Sequence, residues 1–547
     1  MGLNNLAENE PIKENEKPID GASQSIENTD TLESFTENVD SIDISPESIN
    51  TIEAVDENIE NNDIVEPVSV ITEIPLLDVI PSVLILATDD ERTIVNKILS
   101  AFLSSIKKTT LRDAAGLQDD IPMTERVMIV IVIDYLVELA IKLGWALARY
   151  EDSFYLYTGT HWQMIQLDDL KEFLGKSSVH IGVDYFTAKH YKFKENLQHQ
   201  FYSAGYFQQP VKHSMETLIN LSNGTFVFSS TKSYLKDFDK ADFIRYKLPF
   251  GYNPEAECPK FIVYMDRVLP DKDKQKVIAE FLGYVFIRNS VLKLEKSLIL
   301  YGSGANGKSV LFDIIQKLLG TSNVSNFSLQ SLTDPNGYTR SLLTGKLLNY
   351  ASEISSKMNP TLFKQLVSGE PVEARMIYGK PFILRDYARF IFNTNVLPAD
   401  VENNPGFFRR FIIIEFDQTI SDEEKNPMLA NEIIQDELPG VFNWILDGLN
   451  RLLEQGDFSK CTAAINAIET YRKESDSVAL FLDDGCFKPS IDDRLSLLDF
   501  YTKYKDFCKD SNYACCSSKV FSTRLKVYGY EITRISAGRL VGVKKVL

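Results

Sequence analysis

The stretch that most constrains this chain is Gly302-Ser303-Gly304-Ala305-Asn306-Gly307-Lys308-Ser309, with SLILY before it and VLFDIIQKLL after it. It fits G-x-x-x-x-G-K-[ST] completely, between an apolar run of strand character and an apolar pattern at helical spacing. A glycine-rich turn in that setting lets the backbone wrap an anion, so that its N–H groups and the helix N-terminus face phosphates. Gly302, Gly304, Asn306 and Gly307 are the expected cradle. Lys308 would add a point charge, and the Ser309 hydroxyl would ligate Mg²⁺ beside ATP. Such a unit belongs to an α/β fold with a parallel sheet, and it places the ligand at the carboxyl ends of the strands.

Net charge looks at first like an argument against a nucleic-acid partner. The chain of 547 residues carries −19, but residues 1–80 hold 20 Asp and Glu against two Lys. The remainder, with 57 acidic and 56 basic side chains, is nearly neutral and can segregate its cations onto one face. The acidic stretch has almost no aromatic residues, so it is expected to be a disordered tail. The six cysteines lie at 258, 461, 486, 508, 515 and 516 without a C-x-x-C spacing, so reduced thiols are expected rather than zinc. The N-terminus has neither a basic n-region nor an apolar core, which argues against a signal peptide. The apolar run at 127–147 contains Asp134, Glu138 and Lys142 and reads as a buried helix rather than a membrane span. A cytoplasmic protein, in a bacterial host if it comes from a phage or plasmid, is the expectation.

Hydrolysis needs a carboxylate, a polar sensor near the γ-phosphate and a cation for the developing charge. The next apolar strand, KLLNYASEIS, ends in Glu353. The one after it, RFIFNTNVLP, ends in Asn393-Thr394-Asn395, and GFFRRFIIIEFD follows with Arg409 and Arg410 at the head of a further strand. Acid, Asn and Arg thus arrive in order at successive strands after the phosphate loop.

The series GSGANGKS, ASE, F-N-T-N-x-L-P and F-R-R-F resembles a superfamily 3 helicase, within it the phage and plasmid primase-helicase C-terminal family that includes the poxvirus primase-helicase. YTGTHWQMI, NLSNGTFVF, LPFGYNPEAECPKF and FLGYVF resemble that family's helicase-preceding domain, and GVFNWILDGLNRLLEQGDF its helical extension. The resemblance covers roughly residues 150–485. It implies an AAA+-like P-loop core, ATP hydrolysis, a hexameric ring and DNA translocation, 3′ to 5′, in replication of a mobile element. Carried over by position, Lys308, Glu353, Asn395 and Arg410 become catalytic. Glu353 joins Ser309 at the metal, and Arg410, with Arg409 as alternate, acts on a neighbouring subunit's nucleotide. Many relatives have two adjacent acids on the second strand, whereas Ser352 precedes Glu353 here.

Between the acid and sensor strands, FKQLVSGEPVEARMIYGKPFILR corresponds to the family's channel hairpin. Lys364, Arg375 and Lys380 are its expected phosphate contacts and Tyr378 its stacking ring. The resulting organisation is an acidic tail over 1–80, an α+β domain over 90–290, the ATPase core over 291–425, a helical extension over 426–485 and a winged-helix-like domain over 486–547. The partners expected are single-stranded and forked DNA, further copies of the chain, origin duplex through the last domain, and a primase or other replication protein. Two alternatives are an origin-binding initiator whose ATP site drives ring assembly, and a primase-helicase that also makes primers. Residues 90–290 show no paired-acid and histidine constellation for the latter.

Overall fold

Helices α1 (Pro259–Val268) and α2 (Lys272–Tyr284) lead into β1 (Ser297–Tyr301), α3 (Lys308–Leu319), β2 (Val324–Ser325), β3 (Leu348–Ala351), α4 (Pro360–Val367), β4 (Val372–Arg375), β5 (Pro381–Leu384), β6 (Arg389–Thr394), β7 (Phe411–Glu415) and α5 (Leu438–Gln455) in a computed structural model of the chain. Residues 70–74, 83–86 and 89–546 are described, apart from 118–120, 151–152, 205–215, 230–231, 353, 355–357, 378, 399–403, 512, 514 and 537. Five strands form one sheet in the order β2-β3-β6-β1-β7, and every pairing within it is parallel. A parallel sheet is covered on both faces, which is why its strands read as unbroken apolar runs.

Successive side chains of a strand point to opposite faces, and the two packed layers divide accordingly. Leu298 and Leu300 of β1, Ile391 of β6 and Ile412 and Ile414 of β7 pack with Leu311, Ile314, Ile315 and Leu318 of α3. Ile299, Phe390, Phe392, Phe411 and Ile413 face the other way, onto Phe363, Leu366 and Val367 of α4. Behind the α3 layer, α5 lies close on α2. A Cβ on Gly283 would come within 2.8 Å of the Leu449 backbone, so the approach of the two helices depends on that glycine.

Residues 90–290, expected as one domain, divide between two cores. Helices Glu91–Ser105, Glu125–Lys142, Leu167–His180 and Tyr191–Ala204 close a cluster of their own. The hairpin Thr217–Leu221/Gly224–Phe228, α1 and α2 instead share the core of the parallel sheet. The physical reason is that α2 is buried along most of its length between α5 and the sheet layer. In Glu125–Lys142 the three charges of the apolar run, Asp134, Glu138 and Lys142, line one exposed face at helical spacing. No helix among the described residues is long and apolar enough to cross a membrane.

Of the expected acidic tail, residues 1–69 and 75–80 lie outside the described residues. Val70–Ile74 departs from that expectation, because it pairs antiparallel with Val83–Leu86. Val70, Ile71, Thr72 and Ile74 are β-branched and suit a strand. At the other end, a strand Phe487–Ser496, helices Leu497–Asp510 and Ser518–Val527, and the hairpin Ile532–Ile535/Gly538–Lys545 form a small unit. Its core extends back to Val478, Phe481 and Leu482 of helix Ser477–Asp484, so the unit begins near 476 rather than at 486. Buried Asp476 fastens that helix: it caps it through the Val478 N–H (2.9 Å) and accepts from Arg524 Nη1 (2.9 Å) and Tyr528 Oη (2.6 Å). Arg524 is therefore held inward, although helix periodicity alone leaves it free to point outward.

Candidate nucleotide site

The loop 302–307 joins β1 to α3 at the carboxyl edge of the sheet, between β6 and β7. Gly304, Ala305 and Gly307 adopt φ of 111°, 48° and 86°, the left-handed region in which successive N–H groups can converge on an anion. At Gly302 an added Cβ would be driven into the Asn306 amide and the Phe416 carbonyl, so only glycine fits. Asn306 closes the loop by donating Nδ2–H to Phe416 O at 3.2 Å, and the Ile420 N–H donates to Ala305 O at 2.8 Å. Gly307 is the N-cap of α3 and has no side chain to occupy the helix terminus.

Lys308 is buried, and its ammonium donates to Gly302 O (2.8 Å) and Asn306 Oδ1 (3.0 Å). Burial pushes its pKa down, and these two partners are neutral dipoles that offset little of the lost hydration. An anionic ligand would supply the missing charge. Ser309 is exposed in the first turn of α3. These residues fit a triphosphate with a divalent cation: a preformed backbone cradle, an uncompensated buried cation and a hydroxyl at the helix start.

Behind the loop stands α1, which no motif in the sequence marks as part of the site. Tyr264 donates its hydroxyl to Gly307 O at 2.9 Å, and Val268 leaves no room for a Cβ on Gly307. Burial pushes the Tyr264 phenol far up, so it stays a donor. The backbone N–H groups of Lys260 and Phe261, at the start of α1, both donate to the Glu437 carboxylate at 2.9 Å, which serves as a cap supplied from the turn before α5. The spacing of Phe261, Tyr264, Met265 and Val268 marks a buried face, but nothing local indicates that this face supports the loop.

Asn395 follows β6 directly and is exposed. The Gly302 N–H donates to the carbonyl of its neighbour Thr394 at 3.2 Å, so the loop and the end of β6 are adjacent. Tyr350 on β3 donates to Asn393 Oδ1 at 3.1 Å and steadies that strand end. Glu353 lies outside the described residues, while β3, which leads to it, pairs with β6.

Arg409 and Arg410 sit at the opposite edge. The Arg410 carbonyl accepts from the Ser297 N–H at 2.8 Å, at the start of β1. Five residues of strand then separate it from the loop, roughly 16 Å at about 3.3 Å per residue. Neither arginine reaches the nucleotide cradle of its own chain. Arg410 is buried, and its guanidinium donates to Ser368 Oγ (2.9 Å), Lys364 O (3.3 Å) and Gly406 O. It thereby reaches the Lys364 carbonyl and the Ser368 hydroxyl at the C-terminal end of α4, where a cation is favoured. Arg409 is exposed and pairs with Glu295 at 2.9 Å. The arrangement gives Arg410 a fastening role within the chain and leaves Arg409 as the cation on the surface.

The hairpin β4–β5 is a separate two-stranded sheet beyond α4, with Arg375 opposite Pro381 at its tip. Arg375 and Lys380 are exposed there, beside exposed Met376 and Ile377. Arg375 donates Nε–H to Gly379 O at 3.0 Å, which tightens the turn. Its base is anchored by buried Arg340, which donates to Glu373 O at 2.8 Å and Leu332 O at 3.1 Å. Lys364 is half-buried on α4, away from the tip, and Tyr378 lies outside the described residues.

A family of unknown function (DUF5906) matches residues 300–410, the span from the end of β1 to the arginine pair. The curated protein "Putative helicase L207/L206" of Acanthamoeba polyphaga mimivirus is 23% identical over 275 residues, 46% of this chain and 28% of that protein. The chain is a relative of a helicase-like viral protein. It aligns with under a third of that relative's length. Among solved structures, the apo NrS-1 C-terminal region (305–718) is 13% identical, covering 75% of this chain and 98% of that one with a TM-score of 0.42. Its A form is 12% identical over 72% and 94%, with a TM-score of 0.39.

Proposed function

We propose that this chain is an ATP-driven DNA helicase of the superfamily 3, phage and plasmid primase-helicase type, acting in replication of a mobile element. The observation that carries the reading is buried Lys308, turned into a preformed glycine cradle at the carboxyl edge of a parallel sheet, with neutral partners among the described residues. Gly302, Gly304, Asn306 and Gly307 shape the site, Lys308 meets the phosphates, and Asn395 lies at the adjoining strand end as the sensor. Mg²⁺, held by Ser309 with Glu353, would offset phosphate charge, and Glu353 would activate the attacking water.

An arginine acting in trans requires a ring, and six copies is the number the resemblance implies. Position at the far edge of the sheet suits either arginine for trans action. Exposure favours Arg409, because Arg410 already satisfies three acceptors within its own chain. Arg375, Lys380 and Tyr378 at the hairpin tip would contact single-stranded DNA, with Lys364 nearer its base. Movement would be 3′ to 5′, and the winged-helix-like unit from about 476 would bind origin duplex.

The test is displacement of a labelled strand from a forked duplex by the full chain with ATP and Mg²⁺. Wild type unwinds it and Lys308→Ala does not. Turnover of ATP without displacement by wild type would instead favour an initiator that uses ATP for ring assembly.

A further inference from the structure

Residues 183–193, VDYFTAKHYKF, lie about a hundred positions before the nucleotide loop and face solvent in an unusual way. Val183, Ala188 and Phe193 are buried and fix the segment to the helices around it. Everything aromatic or basic between them points out: Phe186 is 80% exposed, Tyr191 73% and Tyr185 52%. The rings come in two pairs, Tyr185 with Phe186 at 5.6 Å between centroids and His190 with Tyr191 at 4.9 Å. Lys189 lies over the Tyr185 ring at 5.0 Å, and exposed Lys192 follows Tyr191. The acid within the segment, Asp184, is turned to the backbone, where it accepts from the N–H groups of Phe186 and Thr187 at 3.0 Å. The segment is therefore a rigid platform of open π faces interleaved with cations.

Four exposed rings contribute nothing to the core beneath them, and large apolar side chains held in water mark an interaction surface. Two chemistries could cover such a surface: apolar protein side chains, or the bases of an unpaired strand. Flanking lysines, with Asp184 turned to the backbone and nearby Glu172 paired with Lys176 and Lys194, favour a polyanion, and stacking of bases on rings with phosphates on lysines is how unpaired strands are held without sequence preference. A duplex, whose bases are already stacked, offers the rings nothing.

We propose that Tyr185, Phe186, His190 and Tyr191, with Lys189 and Lys192, form a second binding site for single-stranded nucleic acid, separate from the hairpin at 372–384. It rests on the reading that the chain acts on nucleic acid, and it adds a holding point packed on a core separate from that of the parallel sheet.

The test uses the full chain and fluorescence anisotropy with labelled oligo(dT), oligo(rU) and a blunt duplex, without nucleotide. Phe186→Ala with Tyr191→Ala is expected to weaken oligo(dT) binding by roughly tenfold or more, since base–ring stacking is worth about that much per ring. Duplex affinity should not change. Lys189→Ala with Lys192→Ala should flatten the salt dependence, by about 0.7 in logarithmic slope for each phosphate no longer neutralised. Phe186→Trp should keep binding and lose indole emission when oligo(dT) is added. The oligo(rU) arm shows which sugar is preferred. Unchanged oligo(dT) affinity in the ring-deleted chain, or an indole that does not respond, would overturn the proposal, as would ring deletion that altered only self-association. Ring-dependent binding without ATP turnover would sink the motor reading and leave this site standing.

Discussion

The two edges of the parallel sheet hold two buried cations in opposite circumstances. At the carboxyl edge Lys308 has, among the described residues, the Gly302 carbonyl and the Asn306 amide as partners, and burial disfavours its charged form. At the amino edge Arg410 is tied to Ser368, Lys364 and Gly406, with Glu295 at 3.5 Å. One site holds its cation by neutral dipoles alone among the described residues. The other is a finished joint between β7 and the helix that leads to the hairpin. Burial alone thus separates neither a binding residue from a structural one nor the reverse; the chemistry of the partners does.

Substitutions at the two edges should differ in kind, and the largest effect belongs to Lys308→Ala, with ATP turnover down by about a hundredfold or more while the thermal midpoint stays near wild type. Loss of a comparable share of stability in that variant would erase the distinction between the edges. Arg410→Ala should behave in the opposite sense. It removes the donors to the buried Ser368 hydroxyl and the Gly406 carbonyl and one of the donors to the Lys364 carbonyl, and should cost about 1–3 kcal/mol, read by urea denaturation. Its neighbour Arg409→Ala should change stability by at most about 0.5 kcal/mol yet lower turnover. When Arg409→Ala is mixed with wild type, the loss should exceed its mole fraction. Proportional loss would remove the trans role.

The smallest expected effect on the nucleotide site sharpens the carboxyl edge. Tyr264→Phe keeps the ring and removes one hydrogen bond to Gly307 O, so it should cost about 1 kcal/mol and show as a several-fold weaker nucleotide affinity. A variant indistinguishable from wild type in nucleotide titration would mean that the loop holds its shape without α1.

The carboxyl edge was legible in the sequence because everything that makes it is local. Strand, glycines, lysine and helix fall within some twenty residues, and the alternation of Leu298, Ile299 and Leu300 between two cores follows from strand geometry. The place of Asn395 beside the loop was legible for a related reason, since a parallel sheet brings strand ends together; its role was not. What was hidden depends on partners far away in sequence. Glu437 caps α1 from 176 residues away, and Tyr264 braces Gly307 from 43 residues away. That Arg410 turns inward while Arg409 is exposed was hidden as well, because side-chain direction just before a strand is set by what packs there, in this case the end of α4. The boundary near 476 escaped because Asp476 and Arg524, 48 residues apart, form one joint.

The most direct measurement is steady-state ATP hydrolysis by the purified full chain with Mg²⁺, with and without single-stranded DNA, beside Lys308→Ala prepared identically. Wild type is expected to turn over ATP at a rate that rises when DNA is added and is nearly abolished in the variant, with both proteins equally folded by circular dichroism. Equal rates for the two proteins, or no hydrolysis by wild type under any DNA condition, would contradict it.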